Sequence, residues 1–235
     1  MAKKNKEISS SNLIKVKPIT EGQKSVFETW KQGKNQFLFG CAGTGKTFVS
    51  LYLAMQDVLD LKTKYDKVIL VRSLIPTREI GFLPGDEEDK AALYQVPYQN
   101  MVKFMFEQPN EQAFNMLYDR LKNQGSLYFL STSFLRGLTF DNSIIIVDEC
   151  QNLNFHELDT ITTRVGQDSK IVFCGDFSQT DLVKQNEKNG LHDFLRILME
   201  MQEFNCVEFN IGDIVRSGFV RNYLIQKTKL GMGME

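Results

Sequence analysis

An α/β fold is predicted, a mostly parallel sheet with helices on both faces, and three observations predict it. Six short apolar runs are spaced along the chain, segments of helical period separate them, and a glycine-rich turn falls where the first run ends and a helix begins. With 235 residues and 42% hydrophobic content, the chain can bury one sizeable α/β core but not comfortably two.

The elements follow in order. Residues 1–18 are read as a basic polar N-terminal segment, in which Lys3, Lys4, Lys6, Lys15 and Lys17 form a solvated tail without the apolar core of a secretion signal. The folded domain is assigned to 19–235. A helix carrying Trp30 precedes the first strand, and core packing is the expected role of that indole. Strands are predicted at 36–40, 67–72, 127–131, 143–147, 170–174 and 206–210, short apolar runs that read as parallel, buried strands. Leu158, Ile161 and Val165, then Leu191, Phe194, Leu195 and Leu198, recur at helical spacing and would lie on the sheet. The interval 73–126 carries Pro76, Pro84 and Pro97 before a helical stretch, which suggests an insertion of loop and helices beside the sheet edge.

Composition excludes several classes. With 28 basic and 29 acidic residues, no global field advertises a polyanionic partner, so any nucleic-acid contact must be local. Cys41, Cys150, Cys174 and Cys206 lack C-x-x-C spacing or nearby histidines and read as free, reduced thiols. No apolar stretch approaches the roughly 20 residues that cross a bilayer. A soluble cytoplasmic protein is therefore expected, with no membrane partner. His156 and His192 sit on polar helix faces without ligand-like neighbours, so no chemistry is assigned to them.

The strongest chemical signal is Gly40-Cys41-Ala42-Gly43-Thr44-Gly45-Lys46-Thr47, which fits G-x-x-x-x-G-K-[ST]. Gly43, Thr44 and Gly45 would turn backbone N–H groups toward phosphate oxygens, the new helix would add its positive end, and Lys46 would reach the β and γ phosphates. The Thr47 hydroxyl is expected to hold Mg²⁺. About a hundred residues later, the apolar run 144–147 ends in Asp148 and Glu149. Asp148 would bind the metal through its water shell, and Glu149, at the strand tip, would act as general base toward a water in line with the γ phosphate. Two acids capping a surface strand are the plainer alternative, and the phosphate loop weighs against it.

Asp148-Glu149-Cys150-Gln151-Asn152, Gly175-Asp176 with Gln179 and Asp181-Leu182, Asp213-Ile214-Val215-Arg216, and Gly81-Phe82-Leu83-Pro84-Gly85-Asp86 together resemble the PhoH-like family of ATPases, over roughly 23–221. The resemblance implies a RecA-like core related to superfamily 1 helicases, using ATP and Mg²⁺. It also implies that Gln179 senses the γ phosphate, that Arg216 is a finger completing a neighbouring active site, and that Gln23 reads adenine. Two departures stand out: Cys41 replaces a more usual proline, and Ser217-Gly218 follow Arg216 where histidine and proline are commoner. An ordinary salt-bridging arginine is the alternative for Arg216.

Superfamily 1 helicases pinch ATP between two RecA-like bodies, and this chain has strands for one, so a head-to-tail homo-oligomer is expected. A ring or hexamer is what the resemblance implies. RNA or single-stranded DNA is the expected partner, contacted by Arg72, Arg78, Arg136 and the Thr132-Ser133-Phe134 stretch after strand ends. Tyr94, Tyr98, Phe134 and Phe140 could stack on bases, although packing of helices on the sheet is the favoured role. Three functions compete: a nucleic-acid-coupled ATPase, an ATP-gated switch or scaffold with slow hydrolysis and a protein partner, and a phosphotransferase, which Glu149 argues against.

Overall fold

Among the described residues, six apolar runs form strands: β1 (Asn35–Gly40), β2 (Lys67–Arg72), β3 (Leu127–Ser131), β4 (Ser143–Val147), β5 (Lys170–Cys174) and β6 (Phe204–Phe209). They belong to a computed structural model that describes residues 6–73, 87–132, 135, 137–176 and 190–230. The strands form one sheet in the order β3-β2-β4-β5-β1-β6, and every pairing between them is parallel. Parallel neighbours need crossovers, and helices supply them. Central β4 and β5 are buried along their whole length, which is why their sequences, Ser-Ile-Ile-Ile-Val and Lys-Ile-Val-Phe-Cys, show no polar alternation.

Period-two geometry divides the side chains between two cores. Ile144 and Ile146 of β4 join one core, with α1 (Glu21–Trp30), α2 (Lys46–Leu59), α3 (Glu87–Met105) and α4 (Glu111–Asn123). Ile145 and Val147 join the other, with α5 (Phe155–Thr162) and α6 (Leu191–Glu200). Helices thus cover both faces, the RecA-like P-loop arrangement. Phe194, Leu195 and Leu198 pack as their spacing predicts. Thr20, Asn110 and Asn154 start α1, α4 and α5 by accepting backbone N–H groups that the first turn leaves unpaired. A last helix, α7 (Gly218–Lys229), follows β6.

Three sequence expectations change. From residue 6 onward, the N-terminal segment is not a solvated tail. Ile8 and Leu13 are buried against the α2 side of the core, Ile14 donates its N–H to the Met105 carbonyl, and Tyr52 donates to the Ile14 carbonyl. Lys6 donates to the Val58 and Asp66 carbonyls, so it ties the last turn of α2 to the start of β2 rather than floating in water. Ile8, Leu13, Ile14 and Val16 follow neither a helical nor a strand period that would reveal this. Val165 lies beyond α5 and forms a parallel bridge with Phe140 instead of continuing the helix. Finally, β6 starts at Phe204, two residues before the run at 206, because Asn205 interrupts the apolar pattern while its backbone still pairs with Gln36.

No helix among the described residues is long and apolar enough to cross a membrane. Cys41, Cys150 and Cys174 are buried and Cys206 exposed, all as free thiols. Burial pushes Cys174 up to about 12 and Cys150 well above the usual thiol range, so both are unreactive.

Candidate active site

The carboxyl ends of the strands bring the predicted chemistry to one edge of the sheet, where open α/β sheets bind ligands. β1 ends in Gly40, and the chain turns through the phosphate loop into α2. A Cβ on Gly40, whose φ is 109°, would stand 2.1 Å from the Phe209 carbonyl oxygen, so only glycine lets β6 close on the loop. That carbonyl accepts the Cys41 N–H at 2.9 Å. Gly45, at φ 86°, is the left-handed residue that caps α2, and the helix then points its N-terminus into the loop.

Lys46 is drawn into this cradle. Its ammonium donates to the Gly40 carbonyl at 2.9 Å and the Cys41 carbonyl at 2.7 Å. Burial pushes its pKa below the ordinary lysine value, and Asp176, at the end of β5, is the foremost opposing charge. A phosphate in the loop would act in the same sense as Asp176, stabilising the charged form.

Across the sheet, Thr47 Oγ1 donates to Asp148 Oδ1 at 2.6 Å, joining the loop to the tip of β4 over 101 residues of sequence. Both are hard oxygen donors beside the phosphate cradle, a set that suits Mg²⁺. Among the described residues no group of three or more His, Cys, Asp or Glu could hold a metal ion, so a cation here would draw its other ligands from water and phosphate. Glu149 follows in the left-handed region, at φ 51° and ψ 42°, a conformation that is costly for non-glycine residues and that surrounding contacts must hold. The Glu149 carbonyl accepts the Asn152 N–H at 3.0 Å, and Gln151 fixes the Glu149 side chain. Gln151 Nε2 donates to Glu149 Oε2 at 2.5 Å, and its Oε1 accepts the Asp176 N–H at 3.1 Å, bridging the tips of β4 and β5.

Two residues expected elsewhere enter the site. Tyr98, offered as a base-stacking or packing aromatic, donates its hydroxyl to Asp148 Oδ2 at 2.8 Å. Burial, and then the Asp148 charge, hold its phenol protonated far above the ordinary tyrosine range. Arg72, offered as a nucleic-acid contact, flanks the same phenol and lies over the Tyr94 ring, 5.6 Å from its centroid. Phe140 is buried in the core, and Trp30 is buried with its Nε1 donating to Asp57. Arg78, Arg136, Ser133 and Phe134 lie outside the described residues, whereas Thr132 donates to Glu157 on α5.

Gln23 is buried under the loop rather than open to a base. Its Nε2 donates to the Thr44 carbonyl at 3.0 Å, and its Oε1 accepts the Ile19 N–H at 3.0 Å. Asp213 supports the same corner from 191 residues away: its carboxylate accepts the Gly22 N–H at 2.9 Å and the Asn210 N–H at 2.9 Å. Burial pushes that carboxyl up, but the hydrogen bonds from Gly22, Asn210 and Thr20 outweigh burial and hold it below its ordinary value. Arg216 is exposed, with its side-chain stem against Gly43 of its own loop, and Val215 donates its N–H to the Gly43 carbonyl. Gln179 lies outside the described residues.

A family profile described as PhoH-like protein matches residues 15–226. A PhoH-like protein of Synechocystis sp. is 33% identical over 186 residues, which cover 79% of this chain and 54% of that protein. A PhoH-like protein of Bacillus subtilis is 31% identical over 208 residues, covering 88% and 61%, and Protein PhoH of Escherichia coli is 31% identical over 190, covering 80% and 51%. The chain spans about half the length of the curated relatives it matches. Among solved structures, the large terminase of a thermophilic bacteriophage in complex with ADP is similar at a TM-score of 0.50 and 14% identity, over 89% of this chain and 50% of that one. That likeness concerns the fold. From the profile match along nearly its whole length, together with the loop and acid pair that the fold assembles, the chain belongs to the PhoH-like protein family.

Proposed function

We propose that this chain binds ATP with Mg²⁺ and hydrolyses it, and that turnover is coupled to binding or remodelling of RNA or single-stranded DNA. The observation that carries the hydrolytic part is the 2.6 Å contact between Thr47 and Asp148, which unites a phosphate loop with a carboxylate pair in one site. In this reading the domain takes in the packed residues from 6 onward together with 19–235, with 73–126 as its insertion. The loop amides and Lys46 bind the β and γ phosphates, and Lys46 follows the charge that builds there during transfer. Thr47 and Asp148 hold Mg²⁺, which neutralises phosphate charge when bound. Glu149, kept in place by Gln151, accepts a proton from water as that water attacks the γ phosphorus and the bond to the β-γ bridging oxygen breaks. Gln23 keeps the loop's shape, and the adenine contact that the resemblance implies would require its amide to leave Thr44 and Ile19. Gln179 is assigned the γ-phosphate contact on the resemblance alone.

Homo-oligomer formation is part of the same proposal. The motifs describe one nucleotide-binding body, and the exposed Arg216 beside the loop is available to a nucleotide in its own chain or in a second copy. A cytoplasmic location fits an ATP-consuming protein and is proposed on that ground.

A second reading, an ATP-gated switch or scaffold with slow hydrolysis and a protein partner, draws support from Arg72 and Tyr98. Both are engaged with the Asp148 corner instead of facing outward toward a strand. Phosphate release measured with and without single-stranded RNA or DNA separates the readings. Stimulation that disappears in Glu149→Gln supports the coupled ATPase, and a slow rate indifferent to both strands, with ATP still bound, supports the switch.

A further inference from the structure

Among the described residues of the insertion, Tyr98 reaches the candidate active site. Tyr98 of α3 is only 1% exposed, its ring packed against Phe129 of β3 with centroids 5.7 Å apart. A phenylalanine would fill that space equally well, so the hydroxyl needs a polar reason to be there. Its partner is Asp148 Oδ2, at 2.8 Å. The other carboxylate oxygen, Oδ1, is held by Thr47 of α2 at 2.6 Å. Each oxygen of this carboxylate therefore has a donor, and the two donors come from different helices. Behind the phenol, Arg72 at the end of β2 flanks Tyr98 and lies over Tyr94, one turn earlier on α3.

The terminal torsion of an aspartate is broad, so a carboxylate held at one oxygen can swing its plane, whereas one held at both cannot. Groups that orient metal ligands in this way typically change metal affinity by about 10-fold to 100-fold when they are removed. We propose that Tyr98 is a positioning residue for the divalent cation: by holding Asp148 Oδ2 from α3, it sets the affinity of the Thr47–Asp148 site for Mg²⁺ and makes that affinity depend on where α3 stands. The inference rests on reading Thr47 and Asp148 as the cation site. The insertion then has a defined role, since anything that shifts α3 also shifts the cation's hold on the nucleotide.

The test is Tyr98→Phe, which keeps the ring and removes only the hydroxyl. Mn²⁺ binding is titrated in the presence of ADP by electron paramagnetic resonance, alongside ADP affinity without cation and the thermal midpoint. The proposal predicts a loss of cation affinity of about 10-fold or more, with cation-free ADP affinity unchanged. A hydroxyl that serves only the stability of the fold would lower the midpoint, or change nothing, and leave the Mn²⁺ titration where it was. Should Tyr98→Phe fail to fold, Arg72→Gln leaves the phenol in place but removes its flank, and it should lose part of the same affinity. Asp148→Asn separates the two levels of the argument. If Asp148→Asn loses Mn²⁺ and the Tyr98 or Arg72 variant binds within about two-fold of wild type, the positioning role falls and the cation site stands. If Asp148→Asn itself binds Mn²⁺ normally, both fall.

Discussion

Lys170, at the start of β5, is 2% exposed and forms no ion pair among the described residues. Its ammonium donates to the Trp30 carbonyl at 3.2 Å and sits 4.1 Å from the centre of the Trp30 ring, a compensation smaller than the hydration it gives up. Burial lowers its pKa to about 8 from 10.5, with Asp57 opposing and Lys64 adding to the shift. A lysine depressed in the folded state binds fewer protons there than in the unfolded chain between those two values, so stability rises with pH through that window. At about 1.4 kcal/mol per unit, the shift adds about 2 to 3 kcal/mol of stability between pH 7 and pH 10. Lys170→Met keeps the apolar stem and removes the titration. At pH 7 the variant should be as stable as wild type or more so, since it no longer buries a charge. By pH 10 the wild type should have gained about 2 to 3 kcal/mol relative to it. Urea unfolding of both proteins at half-unit pH steps measures the difference. Tyr65, raised to about 12, and the buried thiols act in the opposite sense in both proteins and cancel in the comparison. A wild-type-minus-variant difference that stays flat from pH 7 to pH 10 would refute the reasoning.

Two further outcomes bear on the site. Gln151→Leu should leave ADP affinity unchanged while lowering kcat by about 10-fold to 100-fold, because Glu149 loses the contact that fixes its side chain; an unchanged kcat would show that Glu149 needs no such support. Arg216→Ala and Lys46→Ala, each inactive alone, should regain ATP turnover when mixed if the arginine serves a neighbouring copy, with a rate effect of about 10³-fold or more per finger. Mixtures that stay dead while the variants still co-assemble would assign Arg216 to the nucleotide of its own chain, against whose loop it lies.

Much of the fold was legible because buried parallel strands carry their signal locally. Residues 68–71, 127–130, 144–147 and 171–174 are apolar without interruption, and the chain pairs the strands that contain them as written. The phosphate loop and the pair Asp148-Glu149 were legible for a related reason: each is a short segment whose residue types and strand context act together. What escaped sequence reasoning depends on contacts between distant residues. Tyr98 reads as one more aromatic on a helix until Asp148 is found 2.8 Å away, 50 residues later. Gln151 was visible within a motif, but its bridging role emerges only when the Asp176 amide is beside it. Asp213 was likewise visible within a motif, but its contact with Gly22 spans 191 residues and leaves no local signal. Ile8 and Leu13 were hidden by the lysines around them, and Val165 by a helical spacing that the chain abandons after Thr162.

The central claim is that the loop and the acid pair hydrolyse Mg²⁺-ATP. Steady-state phosphate release tests it most directly, comparing wild type with Glu149→Gln and Lys46→Ala under matched ATP and Mg²⁺, with ADP binding measured on all three. The account predicts turnover in wild type, a fall of about 10²-fold to 10⁴-fold in Glu149→Gln with ADP binding retained, and loss of both turnover and tight binding in Lys46→Ala. Turnover that survives unchanged in Glu149→Gln would contradict it.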